Sequence, residues 1–289
     1  MTSERRERMR TVRAGALLLF ILFLCMFLCV GCRLKIKVQA LVAFLDVGQG
    51  SAALLQTPDG NVLVDCGPEG AQESLCRKLR SRGVKTLKFM ILTHMDEDHI
   101  GGADLILEQF AVETILYNGS EEKNESFARL LTAAERKNLS MVALDRDDEA
   151  ILGDLKITVL HPTDRTDPGE GNQSSLTFFA RYGALSILFM GDADRNVEEQ
   201  LLENPGADNL SATVLQVGHH GSETSSSSEF LAAVHPSYAV ISCGAGNSYG
   251  HPDGRALERL KKTGAVVCRT DLEGDITLFW NGSVLQKQY

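Results

Sequence analysis

The feature that most constrains this chain is an apolar segment, Leu87–Thr93, that runs directly into a dense group of metal-binding side chains. The group consists of His94, Asp96, Asp98 and His99. A regular strand sends alternate side chains to opposite faces, whereas a loop at the end of a strand can bring them together. An isolated His-x-Asp is typical of a solvated acidic turn, but four ligands in six positions are not. We therefore predict a buried strand that ends in a loop carrying a metal site.

Two later apolar strands end in the same kind of residue. Leu185–Met190 leads to Asp192, and Ala212–Val217 leads to the pair His219 and His220. Taken alone, each is as well explained by a helix cap or a surface polar group. Together with the first cluster they form three strand ends that offer ligands to shared ions. Histidine nitrogen combined with carboxylate oxygen suits Zn²⁺, Mn²⁺ or Fe²⁺ better than Ca²⁺ or Mg²⁺.

The rest of the chain alternates strands with helices. A hairpin turn at Pro58-Asp59-Gly60-Asn61 separates two early strands, Ser51–Gln56 and Val62–Asp65. Later strands alternate with helices, which we predict at Gln72–Arg82 and Gly254–Lys262 among others. Early hairpins and later strand–helix units predict an α/β fold whose sheets are not purely parallel.

The N-terminal residues 1–37 are predicted to form a segment separate from the rest of the chain. Residues 1–13 contain five arginines and precede an uncharged apolar run at residues 14–31. At about 1.5 Å rise per residue, this run is near the lower limit for crossing a bilayer. The basic flank predicts a cytoplasmic segment at residues 1–13 and an exported body. We expect a transmembrane or signal helix at residues 14–31, a linker at 32–37 and one domain at 38–289.

Two alternatives to an uncleaved anchor remain open, a cleaved signal peptide and a lipid attached to Cys32. The apolar run is longer than the usual signal core of about 7–15 residues, and no Ala-x-Ala site follows it. Val30-Gly31-Cys32 is like the end of a lipobox, although Cys29 stands where that motif usually has leucine. The expected location is the cell membrane with the domain outside the cytoplasm, and the alternatives are a lipoprotein or a secreted form.

The charge balance restricts the partners. The chain has a formal net charge of −9 although its first segment is basic. An acidic body does not attract nucleic acid through bulk electrostatics, so a polyanionic substrate needs a local cationic site. Bound metal ions can supply that charge. The cysteines of residues 38–289 form no Cys-x-x-Cys pair, which favours small buried side chains.

The His94-to-His99 run resembles the His-x-His/Asp-x-Asp-His signature of the metallo-β-lactamase fold, a four-layer αββα sandwich. This resemblance implies a centre of two divalent ions, with Zn²⁺ preferred and Mn²⁺ as the alternative. The first ion would be bound by His94 and Asp96, and the second by Asp98, His99 and His220, with Asp192 bridging the two. The resemblance leaves open which residue of the pair His219 and His220 is the ligand.

Further motifs narrow the resemblance to the C-terminal hydrolase domain of the ComEC competence family. They occur in the same order in this chain: Phe44–Gly50, Val64–Gly67, His94–Gly102, Phe189–Asp192, Gly218–Ser222 and Tyr249–Pro252. Phosphorylcholine esterases are also similar, and the resemblance covers about residues 38–280. The chain departs from this family at Ser51, where the family usually has aspartate, and from the wider superfamily at Asn172, where many members have a further histidine ligand. Asn172 resembles the asparagine of the ComEC-like branch at this position.

The function implied by this resemblance is metal-dependent hydrolysis with an activated water, directed at a phosphodiester or DNA. The alternative is a small or wall-linked ester, such as a phosphorylcholine diester, a lactone or a β-lactam. Asp98 or Asp192 would orient the water, and His219 or His251 would stabilise charge or protonate the leaving group. For His251 an ordinary turn histidine is an equally good interpretation. The membrane would be contacted through the N-terminal segment, and no protein partner is predicted.

Overall fold

Two mixed β-sheets organise the fold, as seen in a computed structural model that describes residues 38–169, 171–203 and 210–288. Among these residues the first sheet contains eight strands: β1 (Ala40–Phe44), β2 (Ala53–Thr57), β3 (Gly60–Val64), β4 (Thr86–Leu92), β5 (Ala111–Tyr117), β6 (Met141–Ala143), β14 (Ile276–Trp280) and β15 (Leu285–Lys287). Their spatial order is β15-β14-β1-β2-β3-β4-β5-β6. Strands β3 to β6 run parallel, and the remaining pairs are antiparallel.

The second sheet contains seven strands within the described ranges: β7 (Glu149–Leu152), β8 (Leu155–His161), β9 (Thr177–Tyr182), β10 (Leu185–Phe189), β11 (Val214–Gln216), β12 (Tyr238–Ile241) and β13 (Val266–Arg269). Their order is β13-β12-β11-β10-β9-β8-β7. Strands β10 to β13 are parallel and β7 to β10 antiparallel. Each sheet therefore joins an antiparallel half to a parallel half, which confirms the prediction of a mixed α/β fold.

The described helices are α1 (Gln72–Ser81), α2 (Glu97–Ile100), α3 (Ala103–Gln109), α4 (Glu125–Arg136), α5 (Arg195–Glu203), α6 (Ser228–Val234), α7 (Gly254–Lys262) and α8 (Thr270–Glu273). Helix α7 has the predicted bounds, and α1 ends one residue before the predicted end. Helix α4 begins after Asn124, whose side chain accepts a hydrogen bond from Phe127 N at 2.8 Å. That bond satisfies one of the free N–H groups at the start of a helix.

Three apolar clusters hold the layers together. The central cluster lies between the sheets, where the rings of Phe178 and Phe189 stack with centroids 4.9 Å apart. A second cluster joins the first sheet to helices α1, α3 and α4, and includes Leu75 and Leu130. A third joins the second sheet to helices α5, α6 and α7, and includes Phe230. Helices thus cover the outer face of each sheet, and the two inner faces pack on each other.

The parallel halves of the two sheets place the candidate site. Their strands β4, β10 and β11 run into the segments that carry the predicted ligands. The carboxyl ends of parallel strands meet at one edge of a sheet, and α/β proteins commonly bind ligands there. The two sheets therefore bring distant stretches of sequence to a common edge.

The ligand-bearing segment after β4 differs from the predicted loop, because Glu97–Ile100 forms one helical turn. The N–H groups of His99 and Ile100 both donate to Asp96 O at 3.0 Å. A Cβ at Gly101 would lie 2.4 Å from Glu69 N, and one at Gly102 would lie 2.5 Å from Cys66 O. The two glycines therefore allow this turn to pack directly against the segment that follows β3.

The predicted membrane segment at residues 14–31 and the flanking residues 1–13 and 32–37 lie outside the described residues. In the part of the chain that is described, no helix is both long and apolar enough to cross a bilayer. The cysteines at positions 66, 76, 243 and 268 are buried with free thiols.

Candidate metal centre

Five side chains from three strand ends converge on one point. Two overlapping groups have ligand atoms within 4.8 Å of one another: His94, His99 and Asp192 form one, and Asp98, His99 and His220 form the other. His99 Nε2 lies 3.1 Å from Asp192 Oδ1, and His220 Nε2 lies 3.2 Å from Asp98 Oδ2. His94 Nε2 lies 4.0 Å from Asp192 Oδ2. The structure thus assembles a set of nitrogen and oxygen donors from residues as far apart in sequence as His94 and His220, which are separated by 126 positions.

Asp96 lies at the solvent side of this centre. Its Oδ2 is 3.6 Å from His94 Nε2, and its side chain is 47% exposed whereas that of His94 is 1% exposed. The two residues are therefore close enough to serve one ion. The pKa of Asp96 lies below its usual value because the His94 imidazole lies beside its carboxylate, which outweighs the opposing effect of partial burial.

The neighbouring histidines His219 and His220 take different positions. His220 is buried, belongs to the group with Asp98 and His99, and uses Nδ1 to contact Ser242 O at 2.7 Å. That contact fixes the ring so that Nε2 faces the centre. His219 belongs to neither group, and its Nε2 lies 3.9 Å from Asp192 Oδ2. The geometry therefore places His220 in a candidate ligand group and His219 beside that group.

The backbone reaches this arrangement through an unusual conformation. His219 and His220 have φ angles of 50° and 53°, in the left-handed region that non-glycine residues rarely adopt. Such residues cost about 1–3 kcal/mol each and persist where the surrounding structure determines them. The left-handed pair turns one histidine into the centre and the other to its rim.

Two buried atoms show that the site suits cations. His94 Nε2 and Asp192 Oδ1 are buried and make no hydrogen bond within the described residues. His99 Nε2 and His220 Nε2 also face each other at 3.3 Å. The unpartnered atoms of His94 and Asp192 are unfavourable unless a bound group satisfies them. A divalent ion satisfies all of these atoms at once.

The local electrostatics also favour positive charge. Burial alone would lower the pKa of His99, but the carboxylates of Asp192 and Asp65 outweigh it and raise that pKa well above its usual value. Burial alone would raise the pKa of Asp192, yet the nearby histidines hold it well below its usual range. Asp192 is therefore ionised, and its negative charge attracts cations.

Asp65 is a site residue that the sequence reasoning did not single out. It is 1% exposed and lies 2.8 Å from His99 Nδ1 through Oδ2. It also accepts hydrogen bonds from Thr93 N at 2.8 Å and from Thr93 Oγ1. Asp65 comes directly after β3, much as His94 comes after β4. Its position after a strand, within the Val64–Gly67 motif, is the sequence signal that could have identified it as a site residue. Carboxylates in this position orient a histidine ligand and set its tautomer.

The departures at Ser51 and Asn172 have distinct outcomes. The backbone N–H of Ser51 donates to Asp98 O at 3.1 Å, so the main chain rather than the side chain supports this ligand segment. Asn172 lies beside His219, with its Nδ2 at 3.2 Å from Nε2 of that ring. It does not belong to either ligand group.

A family model described as the metallo-beta-lactamase superfamily matches residues 45–245. The chain belongs to the metallo-beta-lactamase superfamily. The solved structure of the metallo-beta-lactamase fold protein YhfI from Bacillus subtilis superimposes with a TM-score of 0.56 at 13% identity. That match covers 84% of this chain and 100% of the other, and it concerns the fold.

Among curated superfamily relatives, ComE operon protein 3 of Bacillus subtilis (strain 168) is 33% identical over 256 residues. The match covers 81% of this chain and 32% of that protein. Competence protein ComA of Neisseria gonorrhoeae is 33% identical over 237 residues, which cover 82% of this chain and 32% of that protein. The chain thus spans about a third of the length of these relatives. The similarities confirm the resemblance to the ComEC competence family.

His251, the remaining candidate, lies at the rim of this superfamily site and outside both ligand groups. Its ring centroid is 5.5 Å from that of His219. Burial lowers the pKa of His251, and so does its closeness to the imidazole of His219, since the two rings disfavour being protonated together. The structure therefore places His251 with His219 beside the metal centre.

Proposed function

We propose that this chain is a metal-dependent phosphodiesterase that cleaves DNA or a related polyanion. The observation that carries this proposal is the overlap of the two ligand groups at His99, whose Nε2 lies 3.1 Å from Asp192 Oδ1. Members of a superfamily with such a donor set can hold two divalent ions, and we propose Zn²⁺ in both positions with Mn²⁺ as the alternative.

Two bound ions would supply an acidified water and neutralise charge on the reacting oxygens. His94 and Asp96 would hold the first ion, Asp98, His99 and His220 would hold the second, and Asp192 would be a ligand of both. Asp98 is 28% exposed, so its carboxylate can also accept a proton from the attacking water and orient it.

His219 and His251 act on the opposite side of the reacting bond. The side chain of His219 is 25% exposed and burial lowers its pKa, so the ring is neutral near pH 7. A neutral imidazole can donate a hydrogen bond to a phosphoryl oxygen or to the leaving group. His251 lies close enough to His219 to share this role.

The choice of a phosphodiester comes from the relatives. One of them is named a competence protein, and the motif order is that of the ComEC family. The chain carries a net charge of −9, so binding a polyanion relies on the metal ions rather than on the body as a whole. Because the chain spans about a third of these relatives, the activity is proposed for this hydrolase domain alone.

A second candidate, hydrolysis of a small or wall-linked ester, is favoured by the groove next to Asp96. This groove has a volume of about 780 Å³ and is lined by Asp96, Glu121, Glu122, Lys123 and Arg165 among others. The cation Arg165 already binds Asp145 and Asp148 at 2.6 and 2.7 Å. The groove is therefore acidic, which suits a compact or cationic substrate such as a phosphorylcholine diester better than a polynucleotide.

We further propose that the enzyme acts outside the cytoplasm and is held at the cell membrane by residues 14–31. The support is the arginine-flanked apolar run. Protease protection of the domain in intact cells, together with membrane fractionation, tests this location. A domain that is inaccessible from outside the intact cell would contradict it.

The activity is tested by metal analysis of the full chain and a substrate panel of single-stranded DNA, a chromogenic phosphodiester, a phosphorylcholine diester, a lactone and a β-lactam. We expect two ions per chain and turnover of DNA and the chromogenic diester. Asp98→Ala should lose the second ion and the activity. Turnover confined to phosphorylcholine diester, lactone or β-lactam would replace the main proposal with the second candidate.

A further inference from the structure

A row of aromatic rings leads from the metal centre to solvent. His219 lies beside Asp192, and the ring of His251 follows it with centroids 5.5 Å apart. Tyr249 comes next, with its ring 6.0 Å from that of His251 and the two planes within 16° of parallel. Tyr249 is 71% exposed. The flat face of a large aromatic ring is thus offered to solvent two rings away from the ligands.

The loop that carries these rings is held in one shape by Asn247. Its side-chain oxygen accepts hydrogen bonds from Tyr249 N and His251 N, both at 3.1 Å. Its amide nitrogen donates to Gly244 O at 2.8 Å and to His251 O at 2.5 Å. A loop fixed in this way loses little conformational freedom when a ligand packs on it.

The same loop is attached to the segment that carries His220. Asp253 N donates to Gly221 O at 2.9 Å. A Cβ at Gly221 would lie only 2.7 Å from Pro252 Cβ, so the two backbones touch. The position of the Tyr249 ring is therefore set relative to the metal ligands.

The His251 ring is also held in place without full hydrogen bonding. Its Nδ1 is buried and has no partner among the described residues. A buried polar atom of this kind is unfavourable, so it calls for a reason why the ring is kept where it is. Supporting the ring plane next to Tyr249 provides one.

We propose that Tyr249 and His251 form a stacking shelf that binds a nucleobase of the substrate next to the scissile phosphodiester. This inference rests on the proposed phosphodiesterase function and specifies its substrate as a nucleotide chain. Bases stack on exposed aromatic faces whatever their sequence, because every base has a π-face. The acidic body cannot hold the strand by charge, so stacking supplies the affinity that basic residues supply elsewhere.

A quaternary ammonium group is the other ligand that aromatic rings bind, and the geometry here does not suit it. Such cations are usually enclosed by several rings. Tyr249 and His251 lie nearly parallel, so they present one flat side rather than a cage. The nearby carboxylates of Asp253 and Glu223 already bind Arg255, so they are not free to pair with an ammonium.

The binding test mixes the full chain, loaded with Zn²⁺, with a short oligothymidylate that carries one internal 2-aminopurine and a backbone that cannot be hydrolysed. Stacking on Tyr249 should quench the fluorescence of the 2-aminopurine. We expect Tyr249→Ala to weaken binding about 5- to 150-fold and Tyr249→Phe to retain it. Ile151→Ala, at a similarly exposed position on the far edge of the second sheet, is the control and should bind normally. Equal affinity of Tyr249→Ala and the unaltered protein, or no quenching by either, would overturn the shelf.

A kinetic test separates the shelf from the proposed activity. With a cleavable backbone, Tyr249→Ala should raise the KM for oligothymidylate and leave unchanged the KM for an abasic oligomer of equal length. If the unaltered protein cleaves neither oligomer, the phosphodiesterase proposal fails, and the fluorescence result still decides the shelf. If Tyr249→Ala loses activity only towards a phosphorylcholine diester, Tyr249 binds a cation, and the nucleobase assignment is overturned.

Discussion

His99 and Asp65 form a buried pair in which Nδ1 of the ring lies 2.8 Å from Oδ2 of the carboxylate, and both side chains are at most 1% exposed. The pair connects the end of β3 to the ligand segment after β4. It leaves His99 Nε2 directed at Asp192. The histidine shared by the two ligand groups is therefore oriented by a residue that is not a ligand.

This pair predicts that Asp65→Asn lowers metal affinity without removing a ligand. Loss of such a supporting carboxylate typically costs about 10- to 100-fold in metal affinity or activity. Titration of the full chain with metal, monitored by calorimetry, measures this affinity. Glu113→Gln, which removes a surface carboxylate paired with Lys88, is the matched control and should bind metal normally. Unchanged affinity in Asp65→Asn would refute the supporting role.

Metal removal should lower the stability of the folded protein. Ions that bind only the folded chain stabilise it by about 2.7 kcal/mol at a free concentration 100 times Kd. For a domain of this size, each kcal/mol moves Tm by about 2–4 °C. We expect EDTA to lower Tm by several degrees and added Zn²⁺ to restore it. Asp192→Asn should show little response to Zn²⁺, and a full response in that variant would argue against Asp192 as a ligand.

A buried clamp fixes the loop that follows His220. Glu198 is 1% exposed and accepts hydrogen bonds from Ser226 N and, at 2.8 Å, from Ser227 N. Arg259 donates to Ser225 O and Ser226 O, both at 2.7 Å. We expect Arg259→Ala to lower the free energy of unfolding by about 1–3 kcal/mol, because buried carbonyls lose their donor.

The clamp is tested by urea unfolding and by metal content. Arg259→Lys keeps the charge but not the forked geometry, so it should recover only part of the loss. Because Arg259 touches neither ligand group, the metal content at saturating Zn²⁺ should stay at two per chain while the affinity falls. Stability and affinity that both match the unaltered protein would show that the clamp has no positioning role.

Asp275 should make stability depend on pH. Burial would raise its pKa, but hydrogen bonds from Lys78 and from Asp46 N, with the charge of Arg82 at 2.9 Å, hold that pKa below its usual value. A group with a lowered folded-state pKa stabilises the fold above its unfolded pKa of about 3.9, and that contribution is lost as pH falls through the folded value.

Asp275→Asn should therefore destabilise the protein at pH 7 by about 1–3 kcal/mol and by progressively less as the pH falls below about 4. Urea unfolding of both proteins between pH 3 and 7 measures the difference. A difference that stays constant across this range would exclude the ion pairs as its cause.

The sequence was informative where ligands followed apolar strands. His94, Asp98, Asp192 and His220 were all predicted from this pattern, since an apolar run ending in a ligand is a local feature. Asp65 follows a strand in the same way, but a single aspartate there equally fits a cap. Its role became visible only when β3 and β4 paired side by side.

Other features depended on contacts between distant segments. The helical turn at Glu97–Ile100 was read as a loop, because four residues are too few to show a helical period. The edge strand β7 was not predicted either. Its sequence is short and partly exposed, and it forms a strand only because it pairs with β8. The left-handed backbone at His219 and His220 gives no sequence signal in residues other than glycine.

By itself the sequence determined the α/β class, the family motifs and the ligand types, because hydrophobic periodicity and side-chain chemistry depend only on residues that are close together in the sequence. Tertiary structure decided which of the paired histidines faces the candidate centre, which carboxylate orients His99 and which rings reach solvent. Those outcomes depend on how two sheets place their strand ends within a few ångströms, and that placement comes from packing across the whole domain.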